Sequence, residues 1–237
     1  DINDSKNKIY NNNNINITLF EEANDKWWNK TWSYYDRQQE YGAPITRLAI
    51  SSNSNIKAVT KPIRRFQTLL SRYLRDYNFK AKYRIQEHSD SKILENKLIT
   101  KIESAPLYAL MSLANSESHN FTAEVLYRNA LPDWDIDSYN KDTLKWLRKY
   151  HNYSVSPIYK DASGLSRGNR ITTRTLSYLM KNMDSHRYRS FYKSSLSILG
   201  VRGTLSRVNF HPKLYSKFLG KSGTLNKVKS ITGILEH

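Results

Sequence analysis

A chain of 237 residues with 38% hydrophobic and 12% aromatic content has material for one large or two small cores, which excludes wholesale disorder. Its 38 Lys and Arg outweigh 21 Asp and Glu to give a net charge of +17, so an acidic partner is expected; the lack of cysteine excludes disulfides, thiolate metal sites and cysteine nucleophiles. The charge is dispersed, with no long basic run, no zinc-finger spacing, no RNP-like aromatic signature, no visible signal peptide and no apolar run long enough to span a membrane.

Residues 1–16 are rich in Asn, Asp and Lys and read as loop. Residues 17–50 carry Trp27, Trp28, Trp32, Tyr34 and Tyr35, read as packing residues, then Tyr41-Gly42-Ala43-Pro44 and an alternating segment at 45–50 that predicts a strand. A polar turn at 51–57 marks a boundary, so residues 1–57 are expected to form a mobile N-terminus with a reduced accessory region, and 58–237 the main domain. Thr60 is a candidate N-cap, with Pro62 in the first turn. Ile63, Phe66, Leu69, Leu70, Tyr73, Leu74 and Tyr77 then recur at helical spacing, and Arg64, Arg65, Arg72 and Arg75 lie on a solvated face.

Residues 80–85 and 98–102 read as strands, 106–114 as a short apolar helix and 121–129 as a second helix. Between these helices lies Ser118-His119-Asn120. An extended turn would project Ser118 and Asn120 to the same side, with His119 as spacer; the bland alternative is that Ser118 caps the helix after it. Further helices are expected at 142–150, from Thr172 or Thr173 through Met180, and at 186–195, with a Gly/Ser-rich loop at 161–169.

Near the C-terminus, residues 218–233 read FLGKSGTLNKVKSITG. A phosphate loop fails on spacing, because Tyr215 stands where the pattern needs glycine and the residues after Ser222 are β-branched and punctuated by glycine rather than helical. A plain basic hairpin strand is the simplest alternative, since Lys-[Ser/Thr]-Gly alone arises by chance in roughly one such chain in ten. The third reading is the Lys-[Ser/Thr]-Gly strand of the penicillin-interacting serine enzymes. Leu235-Glu236-His237 look like the start of a vector-encoded tag and are set aside.

Taken together, YGAPIT near Tyr41, SAPLYALMSLANSESHNFTAEVLYR around Ser118, DASGLSRGNRITTRTL around Ser163, SILGVRGTLSR around Gly200 and GKSGTLNKVKSITG around Lys221 resemble the class C penicillin-binding proteins, the D-alanyl-D-alanine carboxypeptidase/endopeptidase family of penicillin-binding protein 4 type. The resemblance covers most of 27–234. It implies an α+β fold of the β-lactamase/transpeptidase-like kind, an antiparallel sheet flanked by helices plus an all-helical lobe, here incomplete, with the Lys221 segment as an edge strand.

The chemistry it implies is acyl transfer through a serine ester without a cofactor or metal. In the family a Ser-x-x-Lys serine attacks the carbonyl joining two D-alanines, its lysine acting as base. Carried over by resemblance, Ser118 belongs to a proton relay near the leaving amine, Asn120 bonds the acyl amide and the catalytic lysine, and Lys221 holds Ser118 and adds positive potential. Ser222 and Thr224 hydroxyls, beside Gly223, would bind the terminal carboxylate. The Thr224 N–H would form half of an oxyanion hole, each donor of which is typically worth ~3 to 4 kcal/mol. Ser163, Leu165 and Arg167 would line a stem-peptide pocket, with Arg167 poised to pair with a carboxylate.

Three departures qualify the match: His119 stands where Asp or Asn is usual, Ser222 replaces Thr, and only a short turn joins Ile50 to the next helix. Five Ser-x-x-Lys matches exist, Ser5/Lys8, Ser54/Lys57, Ser89/Lys92, Ser138/Lys141 and Ser190/Lys193, and none opens an apolar helix in the expected order. The expectation is therefore a fragment of a periplasmic or envelope carboxypeptidase that lacks its nucleophile and is inactive alone, binds stem peptides and β-lactams, and self-associates through uncovered apolar surface. A non-catalytic relative that binds stem peptides is the alternative; a basic nucleic-acid-binding module ranks below both, and no nucleic-acid partner is expected.

Overall fold

The computed structural model describes residues 13–88, 98–130, 134, 139–150 and 156–236. Strands β1 (Asn14–Glu21) and β2 (Lys80–Glu87) pair in parallel, with Asn14 opposite Lys80 and Glu21 opposite Glu87. Parallel neighbours need a long crossover, and this one contains helix α2 (Pro62–Asp76) after the short α1 (Tyr34–Arg37). The pairing thus spans the boundary expected at residue 57. The apolar stripe of α2 packs on the sheet, where Ile63 joins Leu19 and Trp27 in a buried cluster flanked by Ile17, Leu48, Phe66 and Tyr83. The expected cap at Thr60 is one residue too early: Lys61 is the N-cap and makes no side-chain cap bond, and the proline at N1 satisfies the helix start instead.

No strand forms at 45–50, although the alternation predicts one. Its backbone donors have other acceptors. The buried Glu21 carboxylate takes Arg47 N at 2.9 Å and Leu48 N at 2.8 Å, and Ile45 N bonds Trp27 O at 2.7 Å. The Asn53 amide bridges Pro44 O and Thr46 Oγ1. Side chains thus replace a ladder, and the alternation reflects a half-buried loop whose Ile45 is core. Residues 98–102 are likewise not a strand; Leu98, Ile99 and Ile102 stand exposed.

The helical part follows the sequence more closely, with α3 (Leu107–Asn115), α4 (Asn120–Asn129), α5 (Tyr139–Tyr150), α6 (Thr173–Asp184) and α7 (Arg189–Ser195). Helix α6 starts at Thr172 because its hydroxyl accepts Thr175 N at 3.1 Å. An antiparallel sheet in the order β3-β4-β5 closes the structure, formed by Ser197–Ile198, Phe218–Leu225 and Val228–Leu235. Helices α6 and α7 cover it through Met180, Leu196 and Leu219, with Tyr192, Ile198 and Ile234 at the margin.

A third cluster, Trp32, Ile45, Trp134 and Leu165, ties the N-terminal segment to α4 through Phe121 and Val125 and to β4 through Leu225. Leu235 pairs with Phe218, and Glu236 donates its N–H to Lys217 O at 2.9 Å, so two residues set aside as a tag form part of the sheet margin. Leu196 is 1% exposed at the centre of the sheet–helix layer. Leu196→Ala is expected to lower unfolding free energy by about 2–5 kcal/mol through lost transfer energy and a residual cavity, read from the midpoint shift of urea denaturation.

Candidate active site

The turn between α3 and α4 is pinned from the sheet side. Buried Ser116 presents its carbonyl to two donors, Thr204 N at 2.9 Å and Ser197 Oγ at 3.0 Å. Both approach because residue 203 is glycine: its φ is +69°, and a Cβ there would lie 2.5 Å from Ser116 O and 2.7 Å from Ser197 Oγ. Past Ser116 the chain reverses with Ser118 in the left-handed region (φ 59°), an uncommon conformation for a serine. The N-cap of α4 is then His119, with no side-chain cap bond. Ser118 is therefore not the helix cap, and its hydroxyl is left for something else.

That partner is Lys221. Its Nζ donates to Ser118 Oγ at 2.7 Å and to Ser222 O at 2.6 Å, which joins the α3–α4 turn to β4 across 103 positions of sequence. Burial pushes the Lys221 ammonium down from its ordinary value. Asn120 starts α4 and donates to Tyr41 O at 3.0 Å, so it anchors the Tyr41-Gly42-Ala43-Pro44 segment. His119 Nδ1 lies 2.7 Å from Thr122 Oγ1, and burial lowers its pKa.

Strand β4 lies between β3 and β5, yet β3 reaches only Gly220. Beyond that point one side of β4 is open. Amide directions alternate along a strand, and Phe218 O faces β3, where it accepts Leu199 N at 3.0 Å. By the same parity Ser222 and Thr224 turn their backbone groups to this open side, so the Thr224 N–H is aimed outward beside Lys221. Ser222 Oγ donates to Thr204 Oγ1 at 2.9 Å, and Thr224 is exposed two residues on, on the same face. Gly223 is held close to β5, where a Cβ would stand 2.7 Å from Ser230 Oγ.

A family model for D-Ala-D-Ala carboxypeptidase 3 (S13) matches residues 53–237. The chain belongs to the S13 family. Two solved structures resemble this S13 chain: penicillin binding protein 4 (dacB) from Haemophilus influenzae, with 16% identity and a TM-score of 0.74 over 94% of this chain and 66% of that one, and the same protein complexed with a novel β-lactam, with 22% identity and a TM-score of 0.67 over 76% and 42%. At that identity the likeness is one of fold. The S13 chain spans less than two thirds of these neighbours. No curated protein sequence matches it.

The loop at 161–169 of this S13 chain is built on two acids that the sequence alone does not single out. Asp161 accepts Gly164 N and the Asn169 amide on one oxygen, and Ser166 N and Trp32 Nε1 on the other. Glu124, fully buried on α4, accepts Ala162 N at 2.9 Å and Ser163 N at 2.8 Å. Of the residues expected to line a pocket, Ser163 is thus tied through its backbone to Glu124, and Leu165 is 3% exposed in the Trp32 cluster. Arg167 is half exposed and pairs with the buried Asp36 carboxylate. Burial would raise Asp36, but the Ser33 hydroxyl and the Arg167 guanidinium outweigh it and hold its pKa low.

Two Ser-x-x-Lys matches lie wholly among the described residues. Ser54/Lys57 is in a bridged loop, where Ser54 pairs with Ala58 and Lys57 with Gln39. Ser190/Lys193 is on α7, but Lys193 Nζ is held by Asp184 at 2.7 Å and Glu236 at 3.1 Å, and those carboxylates raise its pKa. A base needs the opposite shift.

Burial, reinforced by neighbouring Asp161, raises Glu124 from 4.5 to about 7. The folded state therefore binds a proton that the unfolded state has released between those values, so the associated stability is complete below pH 4.5 and is lost as pH rises to 7. The loss is on the order of 3 kcal/mol. Glu124→Gln, which cannot ionise, is expected to flatten stability across that window in urea titrations at pH 4.5, 6 and 7.5. An unchanged slope would place the ionisation elsewhere.

Proposed function

We propose that this chain carries the substrate-holding strand and the proton-relay turn of a serine-type D-Ala-D-Ala carboxypeptidase acting on peptidoglycan stem peptides in the cell envelope, and that the nucleophilic Ser-x-x-Lys belongs to sequence outside residues 1–237. The observation that carries this reading is the Lys221–Ser118 contact at 2.7 Å. It brings together the Lys-Ser-Gly and Ser-x-Asn motifs inside a chain of the S13 family.

The contact has a chemical sense. An ammonium donates only, so Ser118 Oγ accepts from Lys221 and its own hydrogen is free to point away. A hydroxyl held in this way can pass a proton to a departing amine that develops basicity as the C–N bond breaks. The same ammonium places positive charge beside the open side of β4, where a terminal carboxylate of the peptide would meet the Ser222 and Thr224 hydroxyls. The Thr224 N–H supplies one donor for a carbonyl oxygen gaining negative charge during attack. Asn120 sits at the start of α4 next to this opening, though its amide is engaged by Tyr41 O and would have to turn to meet a ligand. Ser163, Leu165 and Arg167 act in this reading by shaping the 161–169 loop beside the site, and Arg167 would exchange Asp36 for a ligand carboxylate only at a cost.

The second reading, a non-catalytic stem-peptide-binding protein, is favoured by the state of Ser190/Lys193, whose lysine is committed to two carboxylates. Labelling separates the two. A fluorescent penicillin is expected to leave no covalent band on this chain and a stoichiometric band on the full-length parent. In the parent, Lys221→Ala should slow acylation by about 100-fold or more, the scale of losing a positioned charge and a relay together. A labelled chain would put the nucleophile among residues 1–237, and an unlabelled parent would move the assignment to the binding protein.

A further inference from the structure

Four oxygens run from the open side of β4 into the buried seam between the sheet and α3. Ser222 Oγ meets Thr204 Oγ1 at 2.9 Å, Thr204 Oγ1 meets Ser197 Oγ at 3.2 Å, and Ser197 Oγ meets Ser116 O at 3.0 Å. The direction of the hydrogens is fixed from the buried end. Ser116 O is a carbonyl and accepts only, so Ser197, itself fully buried, must donate to it. Ser197 has spent its hydrogen and can only accept from Thr204, and Thr204 for the same reason accepts from Ser222. With the site empty, every hydrogen points inward and Ser222 turns lone pairs outward.

A carboxylate arriving at β4 also brings only lone pairs, so it meets Ser222 in the wrong polarity. The remedy costs one weak bond. If Thr204 rotates its O–H from Ser197, the longer contact at 3.2 Å, to Ser222, the closer one at 2.9 Å, Ser222 keeps a partner and its own hydrogen is freed toward the ligand. Thr204 Oγ1 is held in place for this by its backbone, since Thr204 N is fixed to Ser116 O and Gly203 permits the close approach. A hydroxyl, unlike a carbonyl or an ammonium, can accept from Ser222 in one state and donate to it in the other.

We propose that Thr204 is a positioning residue for carboxylate recognition: its hydroxyl reverses the polarity of Ser222, so that Ser222 offers a donor to the terminal carboxylate of a D-Ala-D-Ala peptide. This rests on the carboxypeptidase reading above and adds to it a residue outside the Lys-Ser-Gly and Ser-x-Asn motifs. An amide-terminated ligand, which carries N–H donors of its own, fits the resting polarity and needs no reversal.

The test is equilibrium binding of N-acetyl-D-alanyl-D-alanine and of its C-terminal carboxamide to the wild-type chain, Thr204→Val and Thr204→Ser, with thermal unfolding measured in parallel. Thr204→Val preserves shape and removes the hydroxyl. It removes the acceptor that turns the Ser222 hydrogen inward, so no reversal is needed, and it is expected to tighten the carboxylate ligand about five-fold, within the range of one hydrogen bond, and to leave the carboxamide within about two-fold. Thr204→Ser, which keeps the hydroxyl, is expected to bind both ligands as the wild type does. Equal changes for both ligands, no change for either, a loss confined to the carboxylate, or a Thr204→Ser variant that behaves like Thr204→Val would overturn the proposal while leaving the carboxypeptidase reading intact. Wild-type protein that binds neither ligand would overturn both.

Discussion

The carbonyl oxygen of Ser116 is the point on which this structure turns. It belongs to the end of a helix whose last carbonyls have no partner within the helix. Both of its lone pairs are taken by the segment leading into the C-terminal sheet, one by Thr204 N and one by Ser197 Oγ. Those two bonds fix the α3–α4 turn against β3, and only then do Ser118 and Lys221 fall within 2.7 Å of one another. A backbone acceptor is a sound anchor for such a seam, because its own position is set by the chain and not by a rotamer, and leaving it buried without a donor would cost about 1–3 kcal/mol. Gly203 is the local condition, as any larger residue would occupy the space in which the bonds form.

The two carboxylates Glu21 and Asp161 solve a related problem elsewhere. Each sits in the interior and binds backbone N–H groups from loops that make no regular ladder. Irregular chain can be buried only if its donors are satisfied, so an acid that accepts several of them substitutes for a strand partner. Glu124 does the same for Ala162 and Ser163, and its raised pKa records first the cost of burying a carboxylate and second the nearness of Asp161.

Much of the helical half is readable in the sequence because amphipathic spacing is a local signal, as in α2 and in α6 with its Thr172 cap. The blocks around Ser118 and Lys221 are legible through resemblance, and the structure brings those two residues together. The errors share one cause. Alternation at 45–50 looks like a strand, but the deciding partner is Glu21, some 26 residues earlier, which no local pattern reveals. The same holds for the parallel pairing of β1 with β2 and for the hydroxyl series Ser222, Thr204 and Ser197, whose members come from separate segments and are common residue types. Leu165 illustrates a different limit: a motif can mark a residue as belonging to a site region without saying whether its side chain faces solvent or core.

The brevity of β3 has one more consequence. An uncovered strand side is also a template on which another copy of the chain could stack, the first step toward fibrous aggregation. Here the exposed length is short, running only from Lys221 to Leu225 before the hairpin turns, and Lys221, Lys227 and Lys229 crowd it with like charge. A second identical edge brought alongside would double the positive charge at the seam. The lysines that the proposed function turns toward an anionic guest thereby also discourage the chain's own kind from filling the groove.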